Sequence, residues 1–150
     1  MPTSWTQNFY HAVFSTKNRE EFIRPDIEAR LCPFIGGIIR DLGCSLLKIN
    51  CMPDHIHVLV RYPSDLSHSD MLRHMKSRSS KWIHEEFRAL RSFAWQEGYG
   101  GFTGSESMVS AVDKYIANQK EHHKQVDFKT EFLRLLRRHG IEFDEADVFN

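Results

Sequence analysis

No apolar run in this sequence approaches the twenty or so residues that a bilayer crossing demands, which excludes a helical membrane protein. Cysteine is scarce: Cys32, Cys44 and Cys51 are odd in number and lack metal-ligand spacing, so a disulfide framework and a zinc ribbon are both excluded. They read as small buried hydrophobes. Net charge is absent too, since 20 basic residues balance 20 acidic ones, and with it goes the bulk signature of a nucleic-acid partner. The opening residues, Met1 to Gln7, carry no basic stretch followed by an apolar core, so no secretion signal is expected and a cytoplasmic location follows. Repeats, low-complexity tracts and linkers are missing, and 150 residues fit one domain.

Charge is present but unevenly placed. Between Arg73 and Arg91 six basic residues face only Glu85 and Glu86, while Glu142, Asp144, Glu145 and Asp147 crowd the end of the chain. The basic stretch reads equally well as a solvated helix face.

Phe9 to Thr16, rich in aromatic and β-branched residues, reads as a first strand. A helix is expected from Pro25 to Leu42 with Gly43 as its stop, kinked or broken at Pro33 and Gly36-Gly37. Cys44 to Met52 and His55 to Arg61 read as strands joined by a hairpin at Pro53-Asp54. The clearest helix runs from Ser67 to about Phe87. A short strand is expected near Phe93 to Gln96, followed by a glycine-rich turn, Gly98-Tyr99-Gly100-Gly101. Ser105 or Ser107 caps a helix through about Lys124, and Asp127 caps a last one ending at His139-Gly140. The order β-α-β-β-α-β with two further helices is that of an α+β, ferredoxin-like split βαβ core with an antiparallel sheet and helices on one face. That core spans about residues 8–103, the following helix about 105–124 and the last about 127–139.

Two stretches carry chemistry. Strand side chains alternate, so His55 and His57 share one face while Ile56, Val58 and Val60 take the other. On the preceding strand Ser45, Leu47 and Ile49 alternate against Lys48 and Asn50. If the apolar set faces the helices, both imidazoles lie on the open face, close enough to share a divalent ion. With nine histidines in the chain, one such pair is near chance, and hydrogen-bonded surface histidines are the competing reading. Further on, Tyr115, Gln119 and His122 fall within roughly 60° of one another on a helix, with Asn118 beside them. A tyrosine at such a border is ordinarily a packing residue. Its hydroxyl, with a pKa of about 10, nevertheless makes a good leaving group from a phosphotyrosyl ester, so a strand cut by tyrosine can be rejoined without ATP. An ion between His55 and His57, with Gln119 adding an oxygen, would polarise the phosphate; imidazole plus oxygen ligands suit Mn²⁺ or Mg²⁺.

These residues, together with Phe14-Ser15-Thr16-Lys17, Met52-Pro53-Asp54-His55-Ile56-His57-Val58-Leu59, Trp95-Gln96-Glu97-Gly98-Tyr99-Gly100-Gly101-Phe102 and Tyr115-Ile116-Ala117-Asn118-Gln119 with His122-His123, resemble a known pattern. The chain resembles the HUH-superfamily single-tyrosine transposases of small bacterial insertion sequences and their repeat-associated relatives. That resemblance implies a metal on His55, His57 and Gln119, a nucleophile at Tyr115, and a 5′-phosphotyrosine intermediate. It also implies a homodimer acting on single-stranded DNA with a hairpin, with active sites often shared between subunits. Asn118, His122 and His123 belong to the recurring pattern as accessory residues of open role, and Arg73, Lys76, Arg78 and Lys81 are the expected DNA-backbone contacts.

Three alternatives stand beside it. A non-catalytic or domesticated hairpin-binding protein would hold the same DNA without a Tyr115 adduct. A small zinc hydrolase would use the histidines with water and ignore Tyr115. A ferredoxin-like RNA binder would be expected to show aromatics where His55 and His57 stand.

Overall fold

Every residue of the first strand, β1 (Phe9–Ser15), is buried in the computed structural model, so both faces of the sheet are covered at that strand. The structure describes residues 4–149; Met1, Pro2 and Thr3, part of the stretch read for a secretion signal, lie outside them. With β2 (Ser45–Met52), β3 (His55–Arg61) and β4 (Gly100–Phe102), β1 forms one antiparallel sheet in the order β2-β3-β1-β4. This is the α+β, ferredoxin-like arrangement expected from the element order.

Helices α1 (Pro25–Asp41) and α2 (His68–Glu86) cover one face. Beneath them lie Tyr10, Ala12 and Phe14 of β1 and Ile56, Val58 and Val60 of β3. Pro33 does not break α1: the helix is continuous, because Ile27, Leu31, Ile35, Ile38 and Ile39 are all buried and their packing outweighs one missing backbone bond. Ser67 caps α2 by accepting from the Asp70 N–H, and Gly43, at φ 79°, ends α1 in a conformation that suits glycine.

Two expectations about the sheet need correction. The fourth strand is not Phe93–Gln96, which meets the end of β1 through a Thr16–Trp95 bridge and the Gln96 N–H bond to the Ser15 carbonyl without forming a ladder; it is Gly100–Phe102, where a turn was expected. Gly100 and Gly101 serve close approach. A Cβ on Gly101 would sit 1.6 Å from the Tyr10 hydroxyl, and one on Gly100 would sit 2.4 Å from the Phe132 ring. On β2, the strict alternation of Ser45, Leu47 and Ile49 fails because a bulge between Leu46 and Lys48 shifts the register. Leu46 and Ile49 therefore pack under α1 and α2, whereas Leu47 joins the opposite face.

That opposite face is not open. Helices α3 (Val109–Ala117), α4 (Gln119–His122) and α5 (Phe128–Arg138), followed by α6 (Glu145–Val148), roof it. Ile116, Val109, Val112 and Tyr115 pack on Phe9, Leu47 and Leu59, and Phe128, Phe132, Leu135 and Leu136 pack on Val13 and Phe102. The single helix expected over 105–124 is divided at Asn118, whose ψ of 11° leaves the helical range, and the serine cap is lacking: the Ser105 and Ser107 hydroxyls bond each other. Asp127 does cap α5, through the Thr130 N–H, and Gly140 follows it at φ 68°. Part of the acidic tail forms α6, and Val148 at its end and Phe149 just beyond it reach the α5 cluster. Among the described residues no helix is long and apolar enough to cross a membrane.

Candidate active site

His55 and His57 do lie on one face of β3, but both are fully buried under the roof. What meets them there is Glu131, an acid set in the apolar stripe of α5 between Phe128 and Leu135 and only 2% exposed. Such an acid persists only where cations or donors surround it, and Glu131 is surrounded. Its Oε1 lies 3.0 Å from His57 Nε2, 3.0 Å from His123 Nε2 and 3.5 Å from His55 Nε2. Its Oε2 accepts from the Tyr115 hydroxyl and, at 2.9 Å, from Gln119 Nε2, with His122 Nε2 at 3.4 Å. One carboxylate thus joins the histidine strand to the tyrosine helix within a single chain.

A second layer orients the imidazoles. His55 Nδ1 is 2.7 Å from Asp54 Oδ1 in the hairpin turn, and His57 Nδ1 is 2.9 Å from His11 Nε2 on β1. Since Glu131 only accepts, the His57 nitrogen facing it carries the proton in this arrangement, and Nδ1 accepts from His11.

The electrostatics follow from these contacts. Burial raises the cost of the Glu131 charge, yet the surrounding imidazoles of His123, His55 and His57 outweigh it and hold the carboxyl well below its usual range. Burial pulls His57 down to about 4 against the pull of Glu131. For His55 burial also lowers, but the bond to Asp54 and the nearby Glu131 carboxylate prevail and the ring is raised. The Tyr115 phenol is pushed far above its ordinary value, by burial first and then by the adjacent Glu131 charge. In this arrangement Tyr115 is held as the neutral phenol.

The donor set fits a divalent metal. One ligand atom from each of His55, His57, His123 and Glu131 lies within 4.8 Å of the others. His55 Nε2 and Gln119 Oε1 are buried with no hydrogen-bond partner. Imidazole nitrogens with carboxylate oxygen are ligands of the borderline divalent ions.

Of the residues singled out in the sequence, His55, His57, His123, Tyr115, Gln119 and His122 converge here, while Asn118 lies exposed at the α3–α4 junction. Arg73, Lys76, Arg78 and Lys81 lie on α2, across the sheet. Arg73 pairs with Asp70, Arg78 pairs with Asp41, and the Lys76 ammonium donates to the carbonyls of Gln96, Glu97 and Gly98, where burial pushes its pKa down to about 8. Glu131 and His11 were missed. An acid inside an otherwise apolar helix stripe was the available signal for the first; for the second there was only a histidine in a strand otherwise apolar from Phe9 to Phe14.

With this geometry in place, the comparison with known families is decisive: the family described as IS200-like transposase matches residues 4–119. The chain belongs to the IS200-like transposase family. It is 30% identical over 125 residues to the transposase of insertion sequence element IS200 from Salmonella typhimurium, covering 77% of this chain and 78% of that protein. The ISDra2 transposase TnpA of Deinococcus radiodurans is 22% identical over 117 residues, covering 75% and 84%. Two solved structures share the fold. One from Deinococcus radiodurans has a TM-score of 0.67 at 22% identity, covering 79% of this chain and 95% of its own. The other, a REP-associated tyrosine transposase bound to a REP hairpin, scores 0.63 at 17% identity, covering 84% and 74%. The family match ends at Gln119, so Glu131 stands outside it. As a transposase-family protein, the chain is a DNA-processing enzyme by descent.

Proposed function

We propose that this protein cuts and rejoins single-stranded DNA through a 5′-phosphotyrosine on Tyr115, assisted by a divalent ion held by His55, His57, His123 and Glu131, with Gln119 as a further oxygen donor. The observation that carries this reading is the double contact of Glu131, whose two oxygens touch the imidazole cluster and the Tyr115 phenol.

The chain's own groups suit each step. Tyr115 Oη forms the new bond to phosphorus as the bond from phosphorus to the 3′ oxygen breaks; the 3′ oxygen leaves and takes up a proton as a hydroxyl. The phenol proton moves along its hydrogen bond to Glu131 Oε2, which relays it to the departing 3′ oxygen rather than keeping it. Because the Glu131 charge raises the phenol's pKa, attack requires that charge to be offset. A divalent ion, if held by His55, His57, His123 and Glu131, would supply the offsetting positive charge and would polarise the scissile phosphate. Three nitrogen donors favour Mn²⁺ over the harder Mg²⁺. The hairpin in the solved relative supports hairpin-bearing DNA as substrate, and the resemblance to single-tyrosine transposases supports a homodimer.

The test is a denaturing gel of protein mixed with labelled single-stranded hairpin DNA and Mn²⁺. The wild-type protein is expected to carry label covalently, and Tyr115→Phe is expected to lose the adduct while still binding DNA. An undiminished adduct in Tyr115→Phe overturns the assignment; no adduct with any divalent metal identifies a hairpin-binding protein without catalysis.

A further inference from the structure

We infer that Arg134 and Arg138 of α5 grip the phosphates of the single strand where it passes Tyr115. The inference rests on the DNA-cleaving reading above and names the residues that position the substrate for it.

Glu131 sets the rotation of α5, since its carboxylate points into the cluster. Arg134 and Arg138 follow three and seven positions later, on the side of the helix that Glu131 shares. Together with Tyr115, His122, Glu131 and Leu135 they line a cleft of about 130 Å³. A larger hollow of about 570 Å³, lined by Lys114, Asn118 and Ala111 among others, adjoins Tyr115 and His122 from the α3 side. The phenol therefore stands between two hollows, each with a basic residue in its wall.

Both arginines are exposed, and neither has an ion-pair partner among the described residues, whereas their neighbour Arg137 pairs with Glu145 at 3.5 Å. Lys114 is likewise exposed and unpaired among those residues. Like charges four positions apart on a helix repel, costing a few tenths of a kcal/mol with no return within the folded chain. An anion between them reverses the sign of that cost. The guanidinium fork matches two oxygens of one phosphate, so the pair suits two phosphates of a strand crossing the helix.

Binding without chemistry isolates the claim. A fluorescent, unstructured oligonucleotide is titrated into Tyr115→Phe protein over a series of salt concentrations, alone and with Arg134→Ala and Arg138→Ala combined; Arg137→Ala is the control. The double substitution is expected to weaken binding at least tenfold at low salt. It should also flatten the plot of log affinity against log salt by about 1.4, at about 0.7 per lost phosphate contact, with all base sequences affected alike. Arg137→Ala should leave both quantities unchanged. Unaltered affinity and slope in the double variant, its thermal midpoint being intact, overturn the inference, as does equal loss in Arg137→Ala. If a fall in midpoint accompanies the loss, Arg134→Gln with Arg138→Gln, which keeps the polar chain, decides by the same slope. If wild-type protein forms the covalent adduct but the slope does not change, the arginine assignment alone fails; if no adduct forms, the cleavage reading fails while the slope still judges the arginines.

Discussion

At the residue scale the site turns on Glu131, whose carboxylate touches both the imidazole cluster and the Tyr115 phenol. Glu131→Gln keeps the shape but removes the charge that the imidazoles surround. With Mn²⁺ at a hundred times its dissociation constant, linkage stabilises the wild-type protein by about 2.7 kcal/mol, which at this chain length raises Tm by roughly 5–10 °C. In Glu131→Gln the metal-dependent rise is expected to shrink to within error, measured by thermal melts with and without Mn²⁺, and adduct formation should fall by on the order of a hundredfold or more. A full Mn²⁺ shift in that variant would remove Glu131 from the ligand set. The histidines and the tyrosine were legible because their spacing is local: two positions along a strand, and three to seven along a helix. Glu131 was not, because its place is decided by how α5 docks on the sheet, a contact 74 positions removed from His57. His11 escaped for the same reason, since its partner lies 46 positions away.

Among the elements, β4 is the most exacting. Gly101 lies against Tyr10, whose ring stacks on His68 with centroids 4.0 Å apart and so has little room to withdraw. Gly101→Ala is expected to destabilise the protein by about 1–3 kcal/mol or more by overpacking, with Tyr10→Ala in the same chain recovering part of the loss; chemical denaturation of both single variants and the double checks this. Additive losses would show that the contact is not the cause. The same strand explains where element reading went astray. Two of its three residues are glycine, which weakens the β-propensity signal, and only the approach of Tyr10 and Phe132 reveals why side chains are forbidden at Gly100 and Gly101. By contrast β1, β2, β3, α1, α2 and α5 appear within a residue or two of their expected ends, because apolar periodicity, caps and the Pro53-Asp54 turn act within each segment. The bulge in β2 had no such signature, as Leu46 and Leu47 are alike and only docking of α3 distinguishes them.

For the whole molecule, burying a cluster of titrating rings makes stability depend on pH. His57 is held at about 4 and His11 well below its usual value, each through burial first, whereas both titrate near 6.5 when unfolded. Between those values the unfolded chain binds more protons, so acidification favours it, and His57 alone contributes on the order of 3 kcal/mol by pH 4. Glu131, held low, adds stability above its unfolded value near 4.5 and loses it as pH falls further. His55 acts in the opposite sense: its raised value gives stability that is complete below 6.5 and is lost as pH rises through the folded value. Two lowered rings and a carboxylate exceed one raised ring. Tm in the presence of a chelator is therefore expected to fall as pH drops from 7 toward 4, and to fall less steeply in His11→Phe. A flat profile would contradict the burial of these rings.

The two oxygens of Glu131 are fixed to one carbon, and this settles a distance that the fold would otherwise have to hold through three separately docked helices. Oε1 faces the histidines and Oε2 faces the phenol, so a slide of α5 carries both ends together. The carboxylate works as a ruler, and lengthening or shortening it by one methylene at position 131 should upset the spacing even where the charge is kept.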